Sequence, residues 1–260
     1  MNSVAKTTDP SALSEHVAAQ FGPQAHAYLH SDVHAQGAEF AELRAGLAGH
    51  RNGRLLDLGC GAGHVSFQLA PLMGEVVAYD LSADMLKVVV ATAGERGLTQ
   101  ISTLQGVAER LPFEAGSMDA VVSRYSAHHW RPGTSTARSA ACAASGRYRC
   151  VHRCGGAGIA VVGHAPAGNR VAARHQPRAR LQRCAMVADG GRAGLQVQRH
   201  QCQRLQLDYA GWVDRMRTPQ VMREAIRALQ NAAVDAVRDH FQIDADGSFS
   251  TDVLVLWAVR

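Results

Sequence analysis

"RLLDLGCGAGHVSFQLA", Arg54 to Ala70, is the stretch whose reading decides the fold. A short apolar run, Leu55, Leu56 and Leu58, ends in Gly59, Gly61 and Gly63, and a helical pattern follows. That order predicts a strand, a tight loop and a helix. Glycines let the backbone turn sharply and come close to a ligand without side chains in the way. A dinucleotide-binding fingerprint would need a further glycine at position 64, where the chain has His64. Asp57 lies two residues before the first glycine. A carboxylate there is unfavourable for a phosphate, so a cationic or amino-bearing ligand suits the loop better.

Working outward, "GEVVAYDLSADMLKVVVATA" repeats the arrangement: a strand Val76–Tyr79, an acid at Asp80, and a helix with Ser82 as its N-cap. "ISTLQGVAERLPFEAGSMDAVVSRYSAHHW" adds strands near Ile101–Gln105 and Asp119–Arg124. Alternating strands and helices imply an α/β fold with a parallel sheet and helices on both faces. Ligands in such sheets bind at the carboxyl ends of the strands. Towards the C-terminus, "RTPQVMREAIRALQNAAVDAVRDHF" reads as one amphipathic helix starting near Pro219, with apolar positions at Val221, Ile226, Leu229, Ala233 and Val237. "DADGSFSTDVLVLWAVR" predicts a turn and a final strand.

"LLDLGCGAGH", "AYDLSADML" and "AERLPF", in that order, resemble the class I S-adenosylmethionine-dependent methyltransferases, nearest the branch with the quinone-biosynthesis C-methyltransferases. The likeness extends to "QFGPQAHAYLHSDVHAQG" upstream and "SRYSAHHW" downstream, and resumes at "LQLDYAGWVDRMRTP". It implies a Rossmann-like, mostly parallel sheet with an antiparallel last strand, and S-adenosylmethionine as methyl donor. By resemblance, Gly59, Gly61 and Gly63 pass under the methionine and ribose parts of the donor, and Asp57 helps hold its amino group. Asp80 accepts from the ribose hydroxyls, Leu81 and Met85 pack on the adenine, and Ala108, with Glu109 adjacent, meets the adenine edge. Many relatives have Asp where this chain has Val107. Ser123 and Arg124 line the far end of the pocket, and Tyr28 and His34 belong to an N-terminal helix that lids it. His128 and His129 face the substrate entrance and are the candidates for accepting a proton, with a structural role as the alternative for each. Trp130 and Trp212 read as packing residues.

Charge is unevenly spread. The net charge is +5, yet residues 1–132 carry 9 Lys+Arg against 13 Asp+Glu and residues 205–260 carry 6 against 8. Residues 133–204 carry 12 Arg and a single acid, Asp189, together with five of the six cysteines and no Phe or Trp. A nucleic-acid partner therefore finds no support outside that window. No apolar run approaches the roughly 18–20 residues that span a bilayer. "MNSVAKTTDPSALSEH" lacks the apolar segment of a signal peptide, so the expectation is a cytoplasmic protein with reduced cysteines.

Within the window, "RYRCVHRCGGAG" brings Cys150 and Cys154 around His152, with Cys142 upstream, but zinc sites favour Cys-x-x-Cys pairs and a second pair is missing. No metal is expected. Neither helical nor strand periodicity survives from Gly133 to about Arg204, and the composition is that of a GC-rich gene read out of frame. The genetic code tests this. In "GTSTARSAACAAS", with Ser as TCN, regrouped codons put T in the middle at Ser135, Ser139, Cys142 and Ser145, and such codons always encode apolar residues. The spacings, 4, 3 and 3, are those of a helix face. In the other shifted frame "GRYRCVHRCGGAG" can read "GGTVVFIDVVAPG", a buried strand, and Met186–Val187 forces Trp.

The expected organisation is an N-terminal helical lid over 1–50, a donor-binding half over 51–132, an out-of-frame and irregular segment over 133–204, and a C-terminal helix and last strand over 205–260. The expected function is methyl transfer to a small molecule, a quinol-like or other aromatic acceptor. Two alternatives stand beside it: an inactive or unstable remnant, and a basic nucleic-acid-binding protein or RNA methyltransferase.

Overall fold

The computed structural model describes residues 24–30, 35–37, 39–127, 150–155, 191 and 194–259. Its strands are β1 (Arg54–Leu58), β2 (Glu75–Asp80), β3 (Ile101–Gln105), β4 (Ala120–Arg124), β5 (Cys150–Gly155), β6 (Gln196–Leu207) and β7 (Phe249–Val259). They form one sheet in the order β3-β2-β1-β4-β5-β7-β6. The first five strands pair in parallel, and β7 runs antiparallel to both β5 and β6. The expected parallel sheet with an antiparallel last strand is therefore present.

The helices are α1 (Ala25–Leu29), α2 (Glu39–Leu47), α3 (His64–Leu69), α4 (Ala83–Glu95), α5 (Tyr209–Arg215), α6 (Gln220–Asn231) and α7 (Asp235–Phe241). Among the described residues, no helix is long and apolar enough to cross a membrane.

Alternation along β1 divides the core between the two faces of the sheet. Leu55 joins Val76, Val122, Val255 and Trp257 on one face, under Phe40 and Leu43 of α2 and Val65 and Leu69 of α3. Leu56 and Leu58 join Val77, Tyr79 and Val121 on the other, with Leu111 and Leu195. Burial on both faces is why the strand reads as a nearly continuous apolar run. Ser82 caps α4 as its sequence predicts, its hydroxyl accepting from the Met85 N–H at 3.4 Å.

Two expectations are corrected. The single C-terminal helix is two: α6 ends at Asn231, Val234 takes an extended conformation, and α7 restarts at Asp235. Of the predicted apolar face only Ile226 is buried; Val221 and Leu229 are exposed. The expected irregularity of 133–204 fails at two places, because β5 and most of β6 fall inside it. The reason is main-chain chemistry. β5 pairs with β4 on one side and β7 on the other, and main-chain N–H and C=O groups that would otherwise be left unpaired are satisfied by a strand there whatever its side chains.

Candidate functional site

The carboxyl ends of β1, β2 and β4 meet at one edge of the sheet, and the glycine loop fills the space between the first two. The Gly59 and Cys60 N–H groups both donate to the Tyr79 carbonyl, at 2.8 and 3.1 Å, which fastens the loop to the tip of β2. Asp80, the next residue, completes the attachment. Its Oδ2 accepts from the Gly61 N–H and its Oδ1 from the Ser82 N–H, both at 2.9 Å. One half-buried carboxylate thus ties the loop to the start of α4, and each oxygen keeps further acceptor capacity. Burial raises its pKa, against the lowering effect of these backbone bonds.

Two glycines have separable tasks. Gly63 has φ +89°, and a Cβ there would lie 2.8 Å from the Phe67 ring and 2.9 Å from Val89. It is required by packing. Gly61 has φ +52°, but a Cβ there would meet nothing within 4 Å. The backbone at Gly61 therefore faces open space, the property a close-approaching ligand needs.

Asp57 lies beneath the loop and is only 1% exposed. Its Oδ2 accepts from the Ser66 N–H at 3.0 Å and the Ser66 hydroxyl at 2.7 Å. Its Oδ1 is buried without a hydrogen-bond partner among the described residues. Burial pushes its pKa up to about 7, more than the Ser66 bonds can lower it. Cys60 is half-buried in the loop, and burial raises its thiol pKa well above the ordinary range, with Asp80 and Asp57 adding to the effect.

The other expected donor residues occupy the same edge. Met85 is buried with Ala62, Val88 and Ala25 of α1; Leu81 is half-exposed. Ala108 is buried beside Tyr79 and Leu111, and Glu109 is half-exposed next to it. Ser123 is buried, its hydroxyl without a partner among the described residues. Arg124 ends β4, and its guanidinium turns to Glu39 of α2, at 2.8 Å, and to the Gln36 carbonyl, at 2.7 Å. Tyr28 sits on α1, where His64 Nε2 lies 2.9 Å from its carbonyl. Nε2 donates there, since a carbonyl oxygen can only accept, and burial lowers the His64 pKa. His34, His128, His129 and Trp130 lie outside the described residues, as does Cys142. The backbone of Cys150, His152 and Cys154 runs in β5. Trp212 is half-buried and packs edge-on against Tyr209 and Phe249.

Three site residues escaped the sequence reading. Ser66, a hydroxyl inside the apolar helix "HVSFQL", was a visible signal. His64 was seen only as a missing glycine. Glu39 carried no signal, because its partner lies 85 residues away.

A parallel sheet with a glycine loop and an acid at neighbouring strand tips defines a Rossmann-like α/β fold, in which ligands lie at the carboxyl edge. Comparison with known proteins narrows this. A family model described as a methyltransferase domain matches residues 55–145. YafE of Escherichia coli K12 is 35% identical over 203 residues, 75% of this chain and 94% of YafE. The demethylmenaquinone methyltransferase of Lactococcus lactis is 40% identical over 74 residues, 27% of this chain and 29% of that enzyme. Among solved structures, YcgJ of Bacillus subtilis matches with a TM-score of 0.69 and 23% identity, over 86% of this chain and 99% of its own. The chain belongs to the class I S-adenosylmethionine-dependent methyltransferases.

Proposed function

We propose that the chain transfers the methyl group of S-adenosylmethionine to a small-molecule acceptor, of which a quinol-like aromatic ring is the best-supported class. The observation that carries the donor half is Asp80, a strand-tip carboxylate fixed by two backbone N–H groups beside the open backbone of Gly61. The residues fit that donor. Asp80 has acceptor capacity for a pair of hydroxyls, and the free Oδ1 of Asp57 can accept from an amino group. Gly59, Gly61 and Gly63 supply the backbone under the donor, Leu81 and Met85 an apolar wall for its base, and Ala108, Glu109 and Ser123 the rest of the lining.

When bound, the sulfonium supplies an already activated methyl group. The work left to the protein is to align acceptor, methyl carbon and sulfur, and to keep water out. A carbon acceptor must also lose a proton, and His128 or His129 is the residue assigned to take it. The similarity to a quinone-pathway enzyme supports the aromatic acceptor. The reaction is assigned to the cytoplasm, and no nucleic-acid partner is invoked. The test is transfer of labelled methyl from S-adenosylmethionine to a panel of quinols, phenols and amines. Loss of quinol methylation in either His128→Ala or His129→Ala, with donor binding intact, supports the assignment. Full activity in both variants refutes it.

A second reading concerns residues 133–204, and the register of β5 favours it. His152 stands opposite Leu256 and Arg153 opposite Val255, whose side chains are 1% and 0% exposed. An interior strand of a sheet covered on both faces calls for apolar residues, and the shifted frame supplies "VVFIDV" there. We read the window as an out-of-frame translation of a normal strand and its flanking helices. Resequencing codons 130–206 decides it. Small insertions or deletions that restore the apolar strand support the reading. An unaltered coding sequence makes the chain an impaired relative and removes the explanation.

A further inference from the structure

The ion pair between Glu39 and Arg124 is the most deeply buried charge pair among the described residues. The two side chains are 1% and 5% exposed, with Arg124 Nε 2.8 Å from Glu39 Oε1. The guanidinium also donates to the Gln36 carbonyl and stacks over two rings, 4.8 Å from the Phe40 centroid and 4.5 Å from that of Tyr125. Gly37 makes room for this arrangement, since a Cβ there would fall on the Glu39 carboxylate. Directly after Arg124 the chain is strained: Tyr125 is a non-glycine residue at φ +56°. Four residues of the N-terminal segment and two at the tip of β4 are thus committed to one contact. An apolar pair of similar size would hold two elements together at least as well. What hydrogen-bonded charges add is a single fixed position.

That position matters because of what the segment covers. From Glu39 the chain leads back to α1, which lies over the glycine loop. Ala25 packs with Ala62 and Met85, Leu29 and Cys60 both pack on the neighbouring cluster of Phe67 and Val89, and the Tyr28 carbonyl meets His64. The segment is therefore attached at the loop after β1 and again at the tip of β4, on either side of the donor site.

We propose that Glu39 and Arg124 are positioning residues whose buried ion pair latches the N-terminal segment across the glycine loop. They act on the bound donor through that cover and not by touching it. This rests on the donor-site reading above, and Cys60 provides a probe that works without ligand. Wild type and the variants Glu39→Gln, Arg124→Gln, Arg124→Lys and Gly37→Ala are treated with N-ethylmaleimide, and modification of Cys60 is timed by peptide mass spectrometry. Hydrogen exchange in β1 and β2 is followed in parallel. Loss of one partner of a buried pair should open the cover and raise the Cys60 rate about tenfold or more. Gly37→Ala, which changes no charge, should do the same by displacing the Glu39 carboxylate. Arg124→Lys, which keeps the charge but not the bond to Gln36, should fall between. In each case exchange in β1 and β2 stays at the wild-type rate.

An unchanged Cys60 rate in Glu39→Gln and Gly37→Ala overturns the latch. So does a rise matched by faster exchange in β1 and β2, which would mark general loosening. A second arm adds saturating S-adenosylhomocysteine. Slower Cys60 modification in wild type, and weaker protection in the variants, extends the latch to the donor. No protection in wild type refutes the donor-site reading alone, and the ligand-free rates still decide the latch.

Discussion

Replacing Asp57 by asparagine should stabilise the ligand-free protein at neutral and alkaline pH while weakening its hold on the donor. The carboxyl is buried and has one oxygen without a partner among the described residues, and its pKa is raised from 3.8 to about 7. An unfolded aspartate ionises near the ordinary value, at about 3.9. Between roughly pH 4 and pH 7 the unfolded chain therefore binds fewer protons than the folded one, and stability falls as pH rises. The full stability is present below about pH 4, and it is lost as pH rises through the folded pKa. A difference of that size corresponds to about 4 kcal/mol above pH 7, and some of it relaxes through small movements and water entry. Asparagine keeps the shape and can still accept from Ser66 through its carbonyl oxygen, but it has no charge to desolvate. Urea unfolding of wild type and Asp57→Asn from pH 4 to pH 8 should show curves that nearly coincide at pH 4. By pH 8 they should part by about 2–4 kcal/mol in favour of the variant. Calorimetry should show S-adenosylhomocysteine binding weakened about tenfold, as expected when one hydrogen bond to a charged group is lost. Parallel stability curves across that range, or a variant less stable than wild type at pH 8, would refute the argument that Asp57 is a buried and incompletely solvated acid.

Three further outcomes follow from the same edge of the sheet. Gly63→Ala puts a Cβ against Phe67 and Val89 at a left-handed φ and should cost about 2–4 kcal/mol in a thermal melt, whatever its effect on ligand. Gly61→Ala meets no protein atom, so it should cost only about 1–2 kcal/mol of stability, from φ alone, yet weaken S-adenosylhomocysteine binding strongly in calorimetry. Asp80→Ala should remove the carboxylate that joins Gly61 to Ser82 and lower donor affinity about a hundredfold, as a fluorescence or calorimetric titration would show.

The strand, glycine loop and acid at the carboxyl edge were legible because they are written locally. Strand, glycine turn and capped helix occupy consecutive residues, and the required left-handed conformations can be met by glycine alone without strain. Asp80 follows from the same logic, since an acid at a strand end two residues before a capping serine sits at the carboxyl edge. The C-terminal helix was less legible. The apolar spacing ran on through Ala233 and Val237, but periodicity does not record where a helix stops, and the extended backbone at Val234 breaks it. Residues 150–155 were read as patternless, yet the backbone takes a strand there because both neighbouring strands need a partner.

What the sequence by itself determined is the class of fold, the glycine loop and its acid, each set by short-range backbone preferences and hydrophobic period. What only the tertiary structure decided are the pairings across the chain. His64 meets the Tyr28 carbonyl 36 residues away, and Arg124 meets Glu39 85 residues away. Neither pairing leaves a periodic trace, because a buried polar contact is fixed by which elements pack together and not by the residues beside it. The same holds for the pKa of Asp57, which depends on how completely α3 and the loop close over it.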